Sequence, residues 1–270
     1  VSGSGLTEAR IRRELDDAWS RTVLVQVVAG GENGGPIDDR ELLAEIDEPG
    51  AVGEVRALTT TGRFSGDICR CHGGPTIVLR DGEGEVVLHA GIHGFGSISW
   101  DRSRFRNDLD VSDPTALHLL LARHGVPHQL ALFWAPLTAH LKSRRAGKAD
   151  PAAQPVLAEF SGRRAGDVPA DRIEDARQRL AAAIPAPADR AAALLSWLGG
   201  LPAPGEALLG GGAVARALLA DFSPADLVAA VTGADSAHAV MGVINLAMHG
   251  DDDPALAAAV APILRRLLRR

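Results

Sequence analysis

The chain contains no tyrosine, two cysteines, two methionines and two lysines among 270 residues, and aromatic side chains make up 4% of it. Without tyrosine, no phenolic acid, base or radical can enter its chemistry. Two cysteines cannot build the disulfide framework of a small secreted domain, so reduced thiols are expected. No apolar run approaches the roughly 20 residues of a membrane-crossing helix. The start, VSGSGLTEARIRR, lacks the apolar core of a secretory signal. A cytoplasmic protein with no membrane partner is therefore expected. A formal net charge of −6 argues against a general nucleic-acid binder, and no nucleic-acid partner is expected. Scarce lysine beside abundant arginine, alanine and glycine points to a GC-rich bacterial coding background.

What is present is enough apolar material, 46% of residues, to bury a core without covalent staples. The pattern changes near residue 165. Before it, β-branched runs, glycine turns and helices alternate; after it, alanine- and leucine-rich segments recur between Pro, Gly and Asp. The fold expected is α+β: a small antiparallel sheet with helices over residues 1–165, then an all-helical bundle or HEAT-like stack over 166–270. A first helix carries Leu6, Ile11, Leu15 and Trp19 on one side, followed by a strand in TVLVQVVA. A second helix is expected from Asp38 through Leu42, Leu43 and Ile46, ended by Pro49 and Gly50. Asp113-Pro114 starts a helix that Gly125 stops, and HQLALFWAPLTAHLK is a further helix interrupted at Pro136. Helices near 171–184, 188–198, 206–220, 224–232, 235–248 and 254–269 follow.

Chemistry concentrates in GDICRCHGGPTIVLRDGEGEVVLHAGIHG, residues 66–94, which holds both cysteines and three of the nine histidines. A two-residue turn at Gly73-Gly74 sets Cys71 opposite Thr76. A turn at Asp81-Gly82-Glu83-Gly84, with Arg80 opposite Glu85, then sets Thr76 opposite His89. Cys69, Cys71, Thr76 and His89 share one sheet face in this register, while Ile77, Leu79, Val86 and Leu88 share the other. Arg70 on the apolar face and Pro75, which cannot donate to a ladder, are its weak joints. His93 can turn back as a further ligand because glycines surround it. Thiolate and imidazole suit Zn, with Cu as the alternative, so the expected metal ligands are Cys69, Cys71, His89 and His93. The same residues also read as ordinary buried cysteines and hydrogen-bonded strand histidines.

The function expected is a metal-binding protein with a Cys/His site, with metal-dependent catalysis left open. Two alternatives stand beside it: an interaction protein binding a protein partner through its helical half, and a thiol-dependent hydrolase or transferase. His118, His124, His128 and His140 have no fixed relation to the cysteines at this level. In SWDRSRFRND, the alternation of Arg102, Arg104 and Arg106 on a strand would line one face, either for a small anionic ligand or paired with acids in solvent. AGGENGGPIDD lacks the glycine and lysine spacing of a phosphate loop, and Glu32, Asp38 and Asp39 oppose phosphate, so it reads as a flexible connection. GGG at 210–212 reads as a break between helices.

Overall fold

The computed structural model describes residues 7–31, 33–143, 151–160, 168–233, 237–250 and 253–268. Leu6, Glu32 and the expected boundary at 165–166 lie outside them. The chain forms two compact units, residues 1–126 and 127–270. The α+β class holds: a seven-stranded antiparallel sheet lies in the first unit, and helices dominate the second. No helix among the described residues is long and apolar enough to cross a membrane.

In the first unit the elements are α1 (Glu8–Arg21), β1 (Leu24–Val28), β2 (Leu42–Ile46), α2 (Pro49–Thr60), β3 (Gly62–Phe64), β4 (Thr76–Arg80) and β5 (Val86–His93), then β6 (Ser97–Trp100), α3 (Arg102–Phe105), β7 (Leu109–Val111) and α4 (Pro114–Arg123). The sheet order is β2-β1-β4-β5-β6-β7-β3. Side-chain alternation divides it into two unlike faces. Val25, Val27, Ile77, Leu79, Leu88, Ala90, Ile92, Ile98 and Trp100 form one core with Ile11, Leu15 and Trp19 of α1, Val55 of α2 and Leu117, Leu120 and Leu121 of α4. The opposite face carries Gln26, Thr76, Val78, His89, Gly91, His93, Ser97 and Ser99, a mostly polar set.

Two local expectations invert. Residues 42–46 are a strand, with Ala44 and Ile46 opposite Val27 and Val25, so alternation wins over the helical reading of Leu42, Leu43 and Ile46. Pro49 and Gly50 then begin a helix instead of ending one. Pro49 sits in the first turn, where its missing N–H costs nothing, and the Glu48 carboxylate accepts from the N–H of Gly50 at 3.0 Å and of Ala51 at 2.6 Å. Those two bonds, Gly50 first, hold the Glu48 carboxyl below its ordinary value. The Asp113-Pro114 start behaves as expected, with Asp113 Oδ1 accepting from Ala116 N at 2.8 Å.

The first unit ends where Gly125, at φ +80°, closes α4 and Val126 completes the core. The change in composition at 165 lags behind this structural division. Residues 127–160 therefore belong to the helical unit, where Phe133, Leu137, Val156, Leu157 and Phe160 are buried. Its helices are α5 (Trp134–Ser143), α6 (Gln154–Leu157), α7 (Ala170–Ala183), α8 (Pro187–Gly199), α9 (Gly210–Leu219), α10 (Pro224–Gly233), α11 (Ala237–Ala247) and α12 (Pro254–Leu268). Helices α8 and α11 pack at glycines: a Cβ at Gly199 would lie 1.8 Å from the His238 carbonyl oxygen, and one at Gly242 would lie 2.1 Å from that of Leu195. Asn245 ties the pair by donating to the Leu198 carbonyl at 2.8 Å. The triple glycine at 210–212 forms the first turn of α9, just after a 3-10 turn over 204–208.

Candidate metal centre

The cysteines lie on neither a strand nor a helix. The edge of β4 expected to receive them is occupied by β1, whose Val28 pairs with Thr76 and Leu24 with Arg80. A β-branched, alternating segment outcompetes one interrupted by Arg70 and Pro75 for that edge. Residues 65–75 instead form an irregular loop. It joins the sheet at its end, where Gly74 N donates to the Ile92 carbonyl at 2.8 Å and Ile92 N donates to the Pro75 carbonyl at 3.0 Å. This docking brings the loop beside His93 at the end of β5.

The β4–β5 register explains why His93, not His89, meets the cysteines. The turn is one residue longer than expected, so Arg80 lies opposite Val86, and a bulge between Leu79 and Arg80 adds a second shift. Asp81 stabilises this longer turn by accepting from the backbone N–H of Glu83 and Glu85, each at 3.0 Å. Two single shifts restore the parity of the faces but displace the pairing: Thr76 faces Gly91, and His89 faces Val78. His89 thus keeps its face and stands about 13 Å back along the strand from His93. It does not join the group.

Cys69, Cys71 and His93 do come together: one ligand atom from each lies within 4.8 Å of the others, and this group can hold a metal ion. The Sγ atoms of Cys69 and Cys71 are 2.7 Å apart, and Cys71 Sγ is 3.0 Å from His93 Nδ1. Around tetrahedral zinc the corresponding separations are about 3.8 Å and 3.6 Å, from bonds of about 2.3 and 2.1 Å. Admitting the ion therefore requires the thiols to swing outward by about 1 Å. Cys71 is exposed and has room to do so, whereas His93 is only 3% exposed and supplies the fixed side.

The loop's backbone is held from two directions. Arg102 donates from Nη1 to the Cys71 carbonyl at 3.1 Å and from Nη2 to the Cys69 carbonyl. Buried Asp108 accepts from Cys69 N at 2.6 Å through Oδ2 and from the Ser99 hydroxyl through Oδ1. The glycine run contributes a third support. A Cβ at Gly31 would lie 1.9 Å from the His72 carbonyl oxygen, and Asn33 Nδ2 is 2.7 Å from His72 Nδ1. That run is a close backbone contact and not merely a connection. At Gly73, φ is +65° and a Cβ would lie 2.8 Å from His93 Cε1, so glycine is needed for the approach.

The two thiols are unequal. The Cys71 thiol is held below its ordinary value, first by the hydrogen bond from Cys69, then by the Gly73 backbone N–H, with the Arg102 charge adding to it. Cys69 is pushed up, chiefly because it keeps the proton in that bond, with repulsion from Cys71 and Asp108 among the smaller causes. A thiolate therefore forms first on the more exposed sulfur.

Sequence reasoning missed Arg102, Asp108, Ser99 and Gly31. Arg102 was visible within SWDRSRFRND, but Arg102–Phe105 is a short helix, so the three arginines do not alternate along one strand face. Arg104 pairs instead with Glu14. His118 is buried in α4 with its ring stacked 5.1 Å from Phe95. His124 caps α4, and His128 and His140 belong to the second unit. The chain matches no family model, no curated protein and no solved structure.

Proposed function

We propose that the first unit binds one metal ion through Cys69, Cys71 and His93, with Zn²⁺ as the occupant and Cu(I) as the alternative. One observation carries the reading: two thiols and an imidazole within 4.8 Å, presented by a loop and a strand end. The carbonyl grip of Arg102 and the N–H acceptor of Asp108 support it by holding the loop where these atoms converge. Three protein ligands leave a tetrahedral ion one position for water or a substrate atom, as in catalytic rather than closed structural sites. Two thiolates with one imidazole also suit the softer Cu(I).

The test is metal analysis of protein purified and reconstituted under reducing conditions. The expected result is close to one equivalent, lost in Cys69→Ser, Cys71→Ser and His93→Ala and retained in His89→Ala. Less than about a tenth of an equivalent after reconstitution rejects the reading. A second reading, a thiol-dependent transferase or hydrolase, draws on the exposed, acidified Cys71 and the His93 nitrogen 3.0 Å away. Alkylation of Cys71 that leaves a detected activity intact counts against it.

A further inference from the structure

We propose that a hydroperoxide joins Cys69 and Cys71 in a disulfide and so expels the metal, making occupancy of the centre depend on oxidant. The release rests on the metal reading above; formation of the disulfide does not.

A disulfide between residues two apart is disfavoured on a regular strand, where their Cα atoms sit near the upper limit for bridging. Here the cysteines lie on an irregular loop, and the objection falls away. Their Sγ atoms, 2.7 Å apart, need to close by about 0.7 Å to bond at about 2.05 Å. Zinc requires the opposite movement, an opening of about 1 Å. The pair thus stands between two outcomes that exclude each other. The Arg102 grip on both carbonyls fixes the spacing of the two residues whichever way the sulfurs turn. Cys71 is exposed and reachable by a small peroxide, while His93 is buried and cannot follow a departing ion.

The chemistry balances without a further reagent. Cys71 sulfur attacks one peroxide oxygen, breaking the O–O bond; it becomes a sulfenic acid, and the other oxygen leaves as hydroxide or alkoxide, which takes up a proton to give water or an alcohol. Cys69 sulfur then attacks the sulfenic sulfur and displaces its oxygen as water. The two sulfurs together lose two electrons, which reduce the peroxide. From the metal-bound state, two protons come from solvent, because the ligating thiolates carry none. A disulfide is uncharged and no longer a thiolate ligand, and His93 alone supplies one imidazole, too little to retain zinc.

The experiment uses the full chain, reduced and loaded with zinc, treated with hydrogen peroxide in the presence of a chromogenic chelator. The expected result is one zinc released for every two thiols lost, an intact mass lower by two hydrogens than the reduced metal-free chain, and recovery of zinc binding after dithiothreitol. Metal-free Cys69→Ser cannot close the bridge, so it should accumulate at least about tenfold more dimedone-trapped sulfenic acid at Cys71 than metal-free wild type. Failure of the reduced protein to take up zinc refutes the metal reading and, with it, the release. Uptake followed by thiol loss without zinc release refutes the gate alone. Oxygen addition without loss of two hydrogens, or bridges only between chains, refutes the disulfide.

Discussion

Substituting Gly31 by alanine should weaken metal binding although the side chain touches no ligand atom. The added Cβ would lie 1.9 Å from the His72 carbonyl oxygen and 2.5 Å from that of Gly73, both backbone atoms of the cysteine loop. Real Cβ contacts stay beyond 3.0 Å, so the two chains must part by about 1.1 Å, and no flexible side-chain end can absorb the movement. Residue 31 has no positive φ, so the effect is steric alone. Overpacking of this kind costs about 1–3 kcal/mol. Parting the chains releases that strain but carries the thiols away from His93. If it is relieved only by displacing the loop, zinc affinity falls by about 5- to 150-fold, at 1.4 kcal/mol per factor of ten. The assay is competition for zinc against a chromophoric chelator under reducing conditions. Gly53→Ala is the control: it lies in α2 with nothing within 4 Å of its added Cβ, and should leave affinity unchanged. Gly31→Ala with affinity within about twofold of wild type would show that the glycine contact does not position the ligands.

Arg102→Lys and Arg102→Gln should each weaken zinc binding by about 10- to 100-fold, because lysine keeps the charge but cannot fork to two carbonyls; a wild-type affinity for the lysine variant would remove the carbonyl grip from the account. Asp108→Asn should lower stability in urea by about 1–3 kcal/mol, since an amide cannot accept at both oxygens as the carboxylate does from Cys69 N–H and Ser99 Oγ; an unchanged urea midpoint would show those bonds to be dispensable. In metal-free reduced protein, alkylation of Cys71 should rise with pH around a midpoint below the ordinary thiol value, and that of Cys69 around one above it. Cys69→Ala removes the bond that contributes most to the Cys71 shift, so the Cys71 midpoint should move upward. Equal midpoints for both thiols in the wild type would contradict the asymmetry.

The parts of the fold legible in the sequence are those where local signals act alone. The apolar face of α1, the strand in TVLVQVVA and the Asp113-Pro114 helix start each depend on one segment's own pattern. The parity of β4 and of β5 from Leu88 onward was legible too, because alternation survives any even displacement, but Val86, expected on the apolar face, lies before the bulge, opposite Arg80 and exposed. What failed depends on competition between distant segments. Which strand takes the β4 edge is decided by β1 against the cysteine loop, 40 or so residues apart. The exact partner of Thr76 is decided by one extra turn residue and one bulge, neither marked in the sequence. The site was legible as a set of candidate ligands but not as a geometry. Its supports, Arg102 and Asp108, come from the far side of the β5–β6 hairpin, and only the fold brings them to the cysteines.

The central claim is that two thiols from one loop and a buried strand imidazole bind the same ion. Zinc K-edge X-ray absorption of the reduced, stoichiometrically loaded protein tests it most directly. Two sulfur neighbours at about 2.3 Å together with nitrogen or oxygen neighbours at about 2.0 to 2.1 Å are the result expected. A shell of four sulfurs, or one of nitrogen and oxygen alone, contradicts it.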